Sequence, residues 1–172
     1  MRMDPSRPLT ADALVNHGGE EELANLIYRL GGERNSRRIA RAIVRARPIR
    51  DTLHLAEAVM GARTKGRQKL HPATRTFLAL RIAVNREQEE LEQFLFRVPV
   101  HLRSGGRAVI LSYHSLEDRL VKQSFRRFAA SGTMYPLTKK VVTPNLHEVR
   151  ANPRARSAKL RAAELISPPQ GN

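Results

Sequence analysis

The chain has 172 residues, with 31 Lys and Arg against 16 Asp and Glu and a formal charge of +15. It contains no cysteine, which excludes disulfides, thiolate zinc sites and cysteine nucleophiles and fits a reducing cytoplasm. Hydrophobic residues make up 41% of the chain, enough for a globular core of Ala, Leu, Ile and Val. No apolar run approaches the about 18 residues of a membrane-spanning helix, and the N-terminus has no secretory h-region. An excess of positive charge on this scale points to nucleic acid or another anionic surface as the partner.

Residues 1–98 read as helices in series. In "LTADALVN", Thr10 and Asp12 are candidate N-caps. "EEELANLIYRLGG" places Leu23, Leu26, Ile27 and Leu30 on one stripe before Gly31 and Gly32 stop the helix. "NSRRIARAIVRAR" repeats the pattern with Ile39, Ile43 and Val44 and ends at Pro48. "DTLHLAEAVMG" offers Asp51 or Thr52 as a cap and Gly61 as a stop. After a loop over residues 62–72, Pro72 is expected to start one long helix lined by Phe77, Leu80, Val84, Leu91 and Leu95. Such short amphipathic helices together make a small bundle.

The pattern changes near residue 98. A two-glycine turn, Gly105-Gly106, leads into Ala108–Leu111, an apolar run suited to a strand covered on both faces. "SLEDRLVKQSFRRFAA" follows as a helix, with Ser115 the expected N-cap and Asp118 at N3. "MYPLTKKVVTP" and "SAKLRAAELI" read as strands, joined by the polar stretch "NLHEVRANPRARS"; "SPPQGN" reads as a frayed tail. A strand–helix–strand–strand order is α/β architecture, so the expected division is a helical domain over 1–98 and an α/β domain over 99–172.

Ser112, His114 and Asp118 share the residue types of a hydrolytic triad, but all three lie on one strand-to-helix turn. A triad converges from separate elements, with its serine on a glycine-flanked elbow that is missing here. A strand end in an α/β sheet is still the usual place for ligand-facing groups, so Ser112, His114 and Asp118 are expected to border a pocket. The histidines, among them His54, His71, His101, His114 and His147, show no metal-ligand spacing, and no metal is expected. No glycine cluster has the strand–glycines–helix order of a nucleotide-cofactor loop. "NPRARSAKLR" concentrates Arg154, Arg156, Lys159 and Arg161, a cluster suited to RNA phosphates. In "LHPATRTFLALRI", Arg75 and Thr76 occupy the first turn of a helix, with Arg81 further along.

Five blocks carry a family resemblance. They are "MRMD" (1–4), "ERNSRRIARAIV" (33–44), "HPATRTFLALRIAVN" (71–85), "GGRAVILSYHSLEDRLVK" (105–122) and "NPRARSAKLRAAE" (152–164). In this order they resemble the RsmH (MraW) family of bacterial 16S rRNA cytosine-N4 methyltransferases. The resemblance implies an S-adenosylmethionine-dependent enzyme with a Rossmann-like sheet and an inserted helical, rRNA-binding domain. Residues 1–98 would be that insert, and residues 99–172 the C-terminal part of the methyltransferase domain.

Family members carry their glycine-rich cofactor loop upstream of the "MRMD" block, so no cofactor-binding residue is expected within this chain. Catalytic groups are likewise expected in that upstream segment. The resemblance makes Arg75, Arg81, Arg119, Arg154, Arg156, Lys159 and Arg161 the expected RNA contacts or supports of the site. The alternative is a non-catalytic RNA-binding or interaction remnant of the family. Three positions depart from the family pattern: Gly32 for Glu, Ser104 for Pro and Tyr113 for Phe.

Overall fold

The computed structural model describes residues 1–62 and 71–166. Most of the loop expected over 62–72, and the expected tail, lie outside the described residues. The chain divides into two compact units, Met1–Glu87 and Gln88–Asn172.

The first unit is helical: α1 (Ala11–His17), α2 (Glu20–Gly31), α3 (Ser36–Arg45), α4 (Thr52–Gly61) and α5 (Thr74–Asn85). Local capping explains the starts of two of them. Thr10 Oγ1 accepts from Ala13 N at 2.9 Å, and Asp51 Oδ1 accepts from His54 N at 2.8 Å. Gly32, at φ 62°, ends α2 in the left-handed region, which glycine enters without a Cβ penalty. The apolar stripes meet in one core containing Val15, Leu23, Ile27, Ile39, Ile43, Leu55, Val59 and Leu80. α2 packs on α3 and α5. The approach to α5 is close at Gly31, where an added Cβ would fall on the Arg75 carbonyl oxygen.

Buried Asn85 ties the chain's first residues to the end of α5. Its Oδ1 accepts from Met3 N at 2.7 Å, and its Nδ2 donates to Met1 O at 3.0 Å and Arg81 O at 2.8 Å. Here the structure departs from the expected single long helix. Arg86 adopts φ 52°, and α5 gives way to α6 (Glu87–Arg97). Arg81 spans the corner, with Nε and Nη2 each donating at 2.8 Å to the Glu87 carboxylate. Leu91 and Leu95 therefore join a different core from Phe77 and Leu80, and the compact units divide at Glu87 instead of near residue 98.

The second unit holds α6, a 3-10 turn Val98–His101, β1 (Arg107–Ser112), α7 (Ser115–Ala130), β2 (Met134–Pro136), α8 (Leu146–Ala151), a 3-10 turn Pro153–Ser157 and β3 (Lys159–Leu165). The sheet order is β1-β3-β2 with both pairings antiparallel, and Arg107 opposite Glu164 and Ser112 opposite Lys159 set the register. Leu95, Ala108, Val121, Phe125, Met134, Ala163 and Leu165 form its core. The architecture is mixed α/β and mostly helical, as composition and pattern suggest.

Three expectations are corrected here. β1 is not covered on both faces: Ala108 and Ser112 are buried, whereas Val109 is 60% and Leu111 50% exposed. A strand alternates its side chains, and among the described residues only one face of β1 packs into the core. The strand read over residues 134–144 is three residues long, followed by an isolated bridge between Val142 and Leu160. The polar connection contains a helix, α8, because Asn145 caps it by accepting from Glu148 N at 2.8 Å.

Candidate nucleic-acid interface and strand-end turn

The β1–α7 turn is built by its own side chains. α7 starts one residue earlier than the sequence suggested: its N-cap is His114 (φ −137°, ψ 166°), and Glu117 occupies N3. His114 Nδ1 accepts from Glu117 N at 3.4 Å, while Glu117 Oε2 accepts from Tyr113 N at 3.0 Å and His114 N at 3.4 Å. This is a capping box with histidine in the place of serine. Ser115 lies inside the helix because β1 runs out at Ser112, leaving only two residues for the turn.

His114 Nε2 lies 3.1 Å from Glu117 Oε1 but makes no hydrogen bond to it. Glu117 feels two opposed influences. Burial raises its pKa, but the His114 ring, the Tyr113 amide, the His114 charge and the His114 amide together outweigh it and hold the carboxyl below its ordinary range.

Each residue of the apparent triad bonds elsewhere. Ser112, buried, donates from Oγ to Lys159 O at 3.3 Å, pinning β1 to the start of β3. His114 engages Glu117. Asp118 accepts from Arg161 Nε at 2.7 Å and Nη2 at 3.2 Å, a bidentate pair that joins α7 to β3. No nucleophile–base contact exists among Ser112, His114 and Asp118, and a hydrolytic reading has no geometric support. What the turn leaves outward is the Tyr113 ring, 54% exposed.

The expected RNA-binding cations differ in how free they are. Arg154 and Arg156 stand exposed on the turn Pro153–Ser157, which Asn152 starts by accepting from Arg154 N at 3.2 Å. Lys159 is half-buried opposite Ser112, and Arg119 is exposed on α7. Arg161 is committed to Asp118. In the first unit, Arg81 is committed to Glu87. Arg75 is half-exposed, with Nη1 donating to Gly32 O at 3.3 Å and lying 4.0 Å from Glu33 Oε2. Thr76 is fully buried, and its hydroxyl has no hydrogen-bond partner, so it cannot reach a phosphate in solvent.

Sequence reasoning missed one group. A cleft of about 350 Å³ in the second unit is lined by Lys122, Arg126, Tyr135, Lys139 and Arg161. The signal was present: Arg119, Lys122 and Arg126 recur at helical spacing on α7, which sets them on one face.

With this geometry established, comparison with known proteins places the chain. A basic, mixed α/β protein with a capped strand-to-helix turn is a broad class, and sequence similarity narrows it. Residues 1–166 match the MraW methylase family. Among curated relatives, "Ribosomal RNA small subunit methyltransferase H" of Koribacter versatilis is 55% identical over 166 residues, 95% of this chain and 53% of that relative. The protein of the same name from Synechococcus elongatus is 52% identical over 170 residues, 98% of this chain and 56% of that relative. That from Acidobacterium capsulatum is 54% identical over 165 residues, covering 95% and 56%. The chain belongs to the MraW methylase family, and it spans about half the length of the curated relatives it matches.

Proposed function

We propose that the chain is the RNA-binding, pocket-bordering part of an S-adenosylmethionine-dependent methyltransferase that modifies the N4 amine of a cytidine in 16S rRNA. Family membership across residues 1–166 carries this reading. The relatives' shared name, which specifies small-subunit ribosomal RNA and methyl transfer, and the +15 charge support it. On this reading the first unit is the helical rRNA-binding insert. The second is the C-terminal portion of a Rossmann-like methyltransferase domain, and the protein works in the cytoplasm, where its RNA is.

The β1–α7 turn does not fit S-adenosylmethionine. It contains no glycine, and its amides at Tyr113, His114 and Glu117 are taken by capping side chains. A cofactor bound at a strand–helix turn needs those amides free and the backbone bare of Cβ atoms. The contribution of this chain is therefore positional. Ser112 and the Asp118–Arg161 pair hold the strand end and the first turn of α7 in fixed relation. That rigidity presents the exposed Tyr113 ring as a wall against which a base turned out of its stack can rest. Arg154, Arg156, Lys159 and Arg119 supply phosphate contacts around it.

Two titrations test this. Calorimetry of the chain with S-adenosylmethionine should give no heat of binding; micromolar affinity would overturn the assignment of the cofactor seat to another segment. Binding to 16S rRNA fragments should fall steeply with salt, and salt-independent binding would overturn the RNA-contact reading. A second reading is a non-catalytic RNA-binding remnant of the family. Sequencing the DNA upstream of the Met1 codon separates the two. An in-frame glycine-rich methyltransferase segment supports the first, and a disrupted frame supports the second.

A further inference from the structure

The helical unit contains a cleft of about 380 Å³ that none of the expected RNA contacts occupies. Asn25 and Tyr28 of α2 form one wall, and Arg34, Ser36, Arg37 and Arg38, at the entry to α3, form the other. Four features set it apart from an ordinary solvated surface.

First, Arg34, Arg37 and Arg38 are exposed, and none has an ion pair or side-chain hydrogen bond among the described residues. Second, Ser36 is only 5% exposed, yet its hydroxyl makes no hydrogen bond among the described residues and it lines the cleft. The hydroxyl is therefore free to donate into the cleft. Third, the compensation at the start of α3 comes from buried Glu33, whose Oε1 accepts from Asn35 N at 2.9 Å, and none comes from the first turn of the helix itself. Its N-cap Asn35 makes no side-chain cap bond, because that side chain donates instead to Glu33 Oε1 at 3.3 Å, and the first turn holds no acidic residue. Two arginines at the positive end of a helix dipole repel it, and an anion would relieve both. Fourth, the Tyr28 ring beside these cations is 59% exposed. An exposed aromatic next to a cationic groove is the arrangement that takes an unpaired base together with its backbone phosphate. A volume of this size, toward the lower end of the roughly 300–1,000 Å³ range of small-ligand cavities, suits one nucleotide and excludes a duplex.

We propose that this cleft binds a single nucleotide of unpaired RNA. Its phosphate lies against the Ser36 hydroxyl and the Arg34, Arg37 and Arg38 guanidinium groups, and its base stacks on Tyr28. The assignment rests on the reading that the chain engages RNA, and it adds a contact within the helical unit that the basic clusters of the second unit do not provide.

The test uses the whole chain and a labelled single-stranded oligocytidylate. The protein has three tyrosines and no tryptophan, so stacking on Tyr28 is visible as quenching of intrinsic fluorescence. Tyr28→Ala should remove the share of quenching that Tyr28 contributes and weaken binding about five- to 150-fold, whereas Tyr28→Phe should bind normally. Arg37→Ala with Arg38→Ala should lower the slope of log affinity against log salt by about 0.7 per phosphate contact removed. Ser36→Ala should weaken the oligonucleotide and leave the circular dichroism unchanged.

If the oligonucleotide binds and Tyr28→Ala and the arginine variants leave affinity and slope untouched, the cleft assignment is overturned while the RNA reading stands. If no RNA binds at all, the RNA reading falls and the cleft falls with it. If inorganic polyphosphate or a phosphoserine peptide binds as tightly, with Tyr28→Ala neutral, the nucleotide assignment is overturned in favour of a plain anion seat.

Discussion

Arg161 and Asp118, 43 positions apart, meet through two hydrogen bonds of 2.7 and 3.2 Å, with side chains only 12% and 15% exposed. The pair clamps the first turn of α7 onto the middle strand of the sheet. Removing one partner leaves the other charge in a place poor in water, so the cost exceeds that of an exposed ion pair. Asp118→Ala and Arg161→Ala should each lower unfolding free energy by roughly 2–4 kcal/mol, read from urea midpoints. The double variant leaves no lone charge and should recover about 1–3 kcal/mol of the summed loss. Strictly additive losses would show that the two are not coupled.

Acid should test the capping box. Glu117 has a folded-state pKa below its ordinary value of 4.5, so its stabilising contribution is complete above that pH and disappears as pH falls through the depressed value. Glutamine at N3 keeps the capping hydrogen bond without the charge. Melting temperatures of the parent protein should therefore fall more steeply below about pH 4.5 than those of Glu117→Gln. Parallel curves from pH 7 to pH 3 would refute the assignment.

Two glycines should respond in opposite directions to alanine. At Gly31 a new Cβ meets the backbone carbonyl of Arg75, which cannot swing aside, and Gly31→Ala should cost about 1–3 kcal/mol. At Gly61, on the last turn of α4, nothing among the described residues lies within 4 Å of the new atom. There the narrower unfolded ensemble should add about 0.4–1 kcal/mol. Thermal unfolding of the two variants side by side makes the comparison.

Arg154 and Arg156 are exposed and, on the proposed function, touch phosphates but not base edges. Their alanine variants should weaken RNA binding to a similar extent for unrelated sequences, and each should reduce the salt slope by about 0.7 for a single strand. Filter binding at several salt concentrations distinguishes this from a sequence-selective loss.

Among the described residues, β1 pairs with β3 on one side and leaves its other edge and the Val109 and Leu111 side chains open. An exposed apolar edge strand invites pairing with another chain. Val109→Lys should slow aggregation of the protein at constant secondary structure, as light scattering would report. In hydrogen exchange, the second unit should open before the first.

The helices of the first unit were legible because their signals are local: Thr10 and Asp51 cap where hydroxyl or carboxylate precedes an apolar stripe, and Gly32 ends α2 where a left-handed residue is needed. The corner at Arg86 was not. Nothing in helix propensity changes between Val84 and Leu91; the break comes with Asn85, whose amide bonds to Met1 and Met3, more than 80 positions away. Likewise, "HSLEDR" suggested a cap at Ser115 with Asp118, and the end of β1 at Ser112 placed the cap at His114 with Glu117 instead. An apolar run such as Ala108–Leu111 reveals that a strand is buried somewhere, but not which of its faces has a neighbour.

By itself the sequence determined the excess of positive charge, the amphipathic helices, the strand-to-helix turn and the family, since each is a matter of composition, short-range spacing or ordered motifs. Only the tertiary structure decided which charges are spent and which are free. Arg81 and Arg161 looked in the sequence like Arg154 and Arg156, yet Glu87 and Asp118 hold the first two, while Arg34, Arg37 and Arg38 surround an open cleft. Ion pairing falls off with distance and desolvation, and which carboxylate comes within reach is settled by packing between elements that the linear order keeps apart.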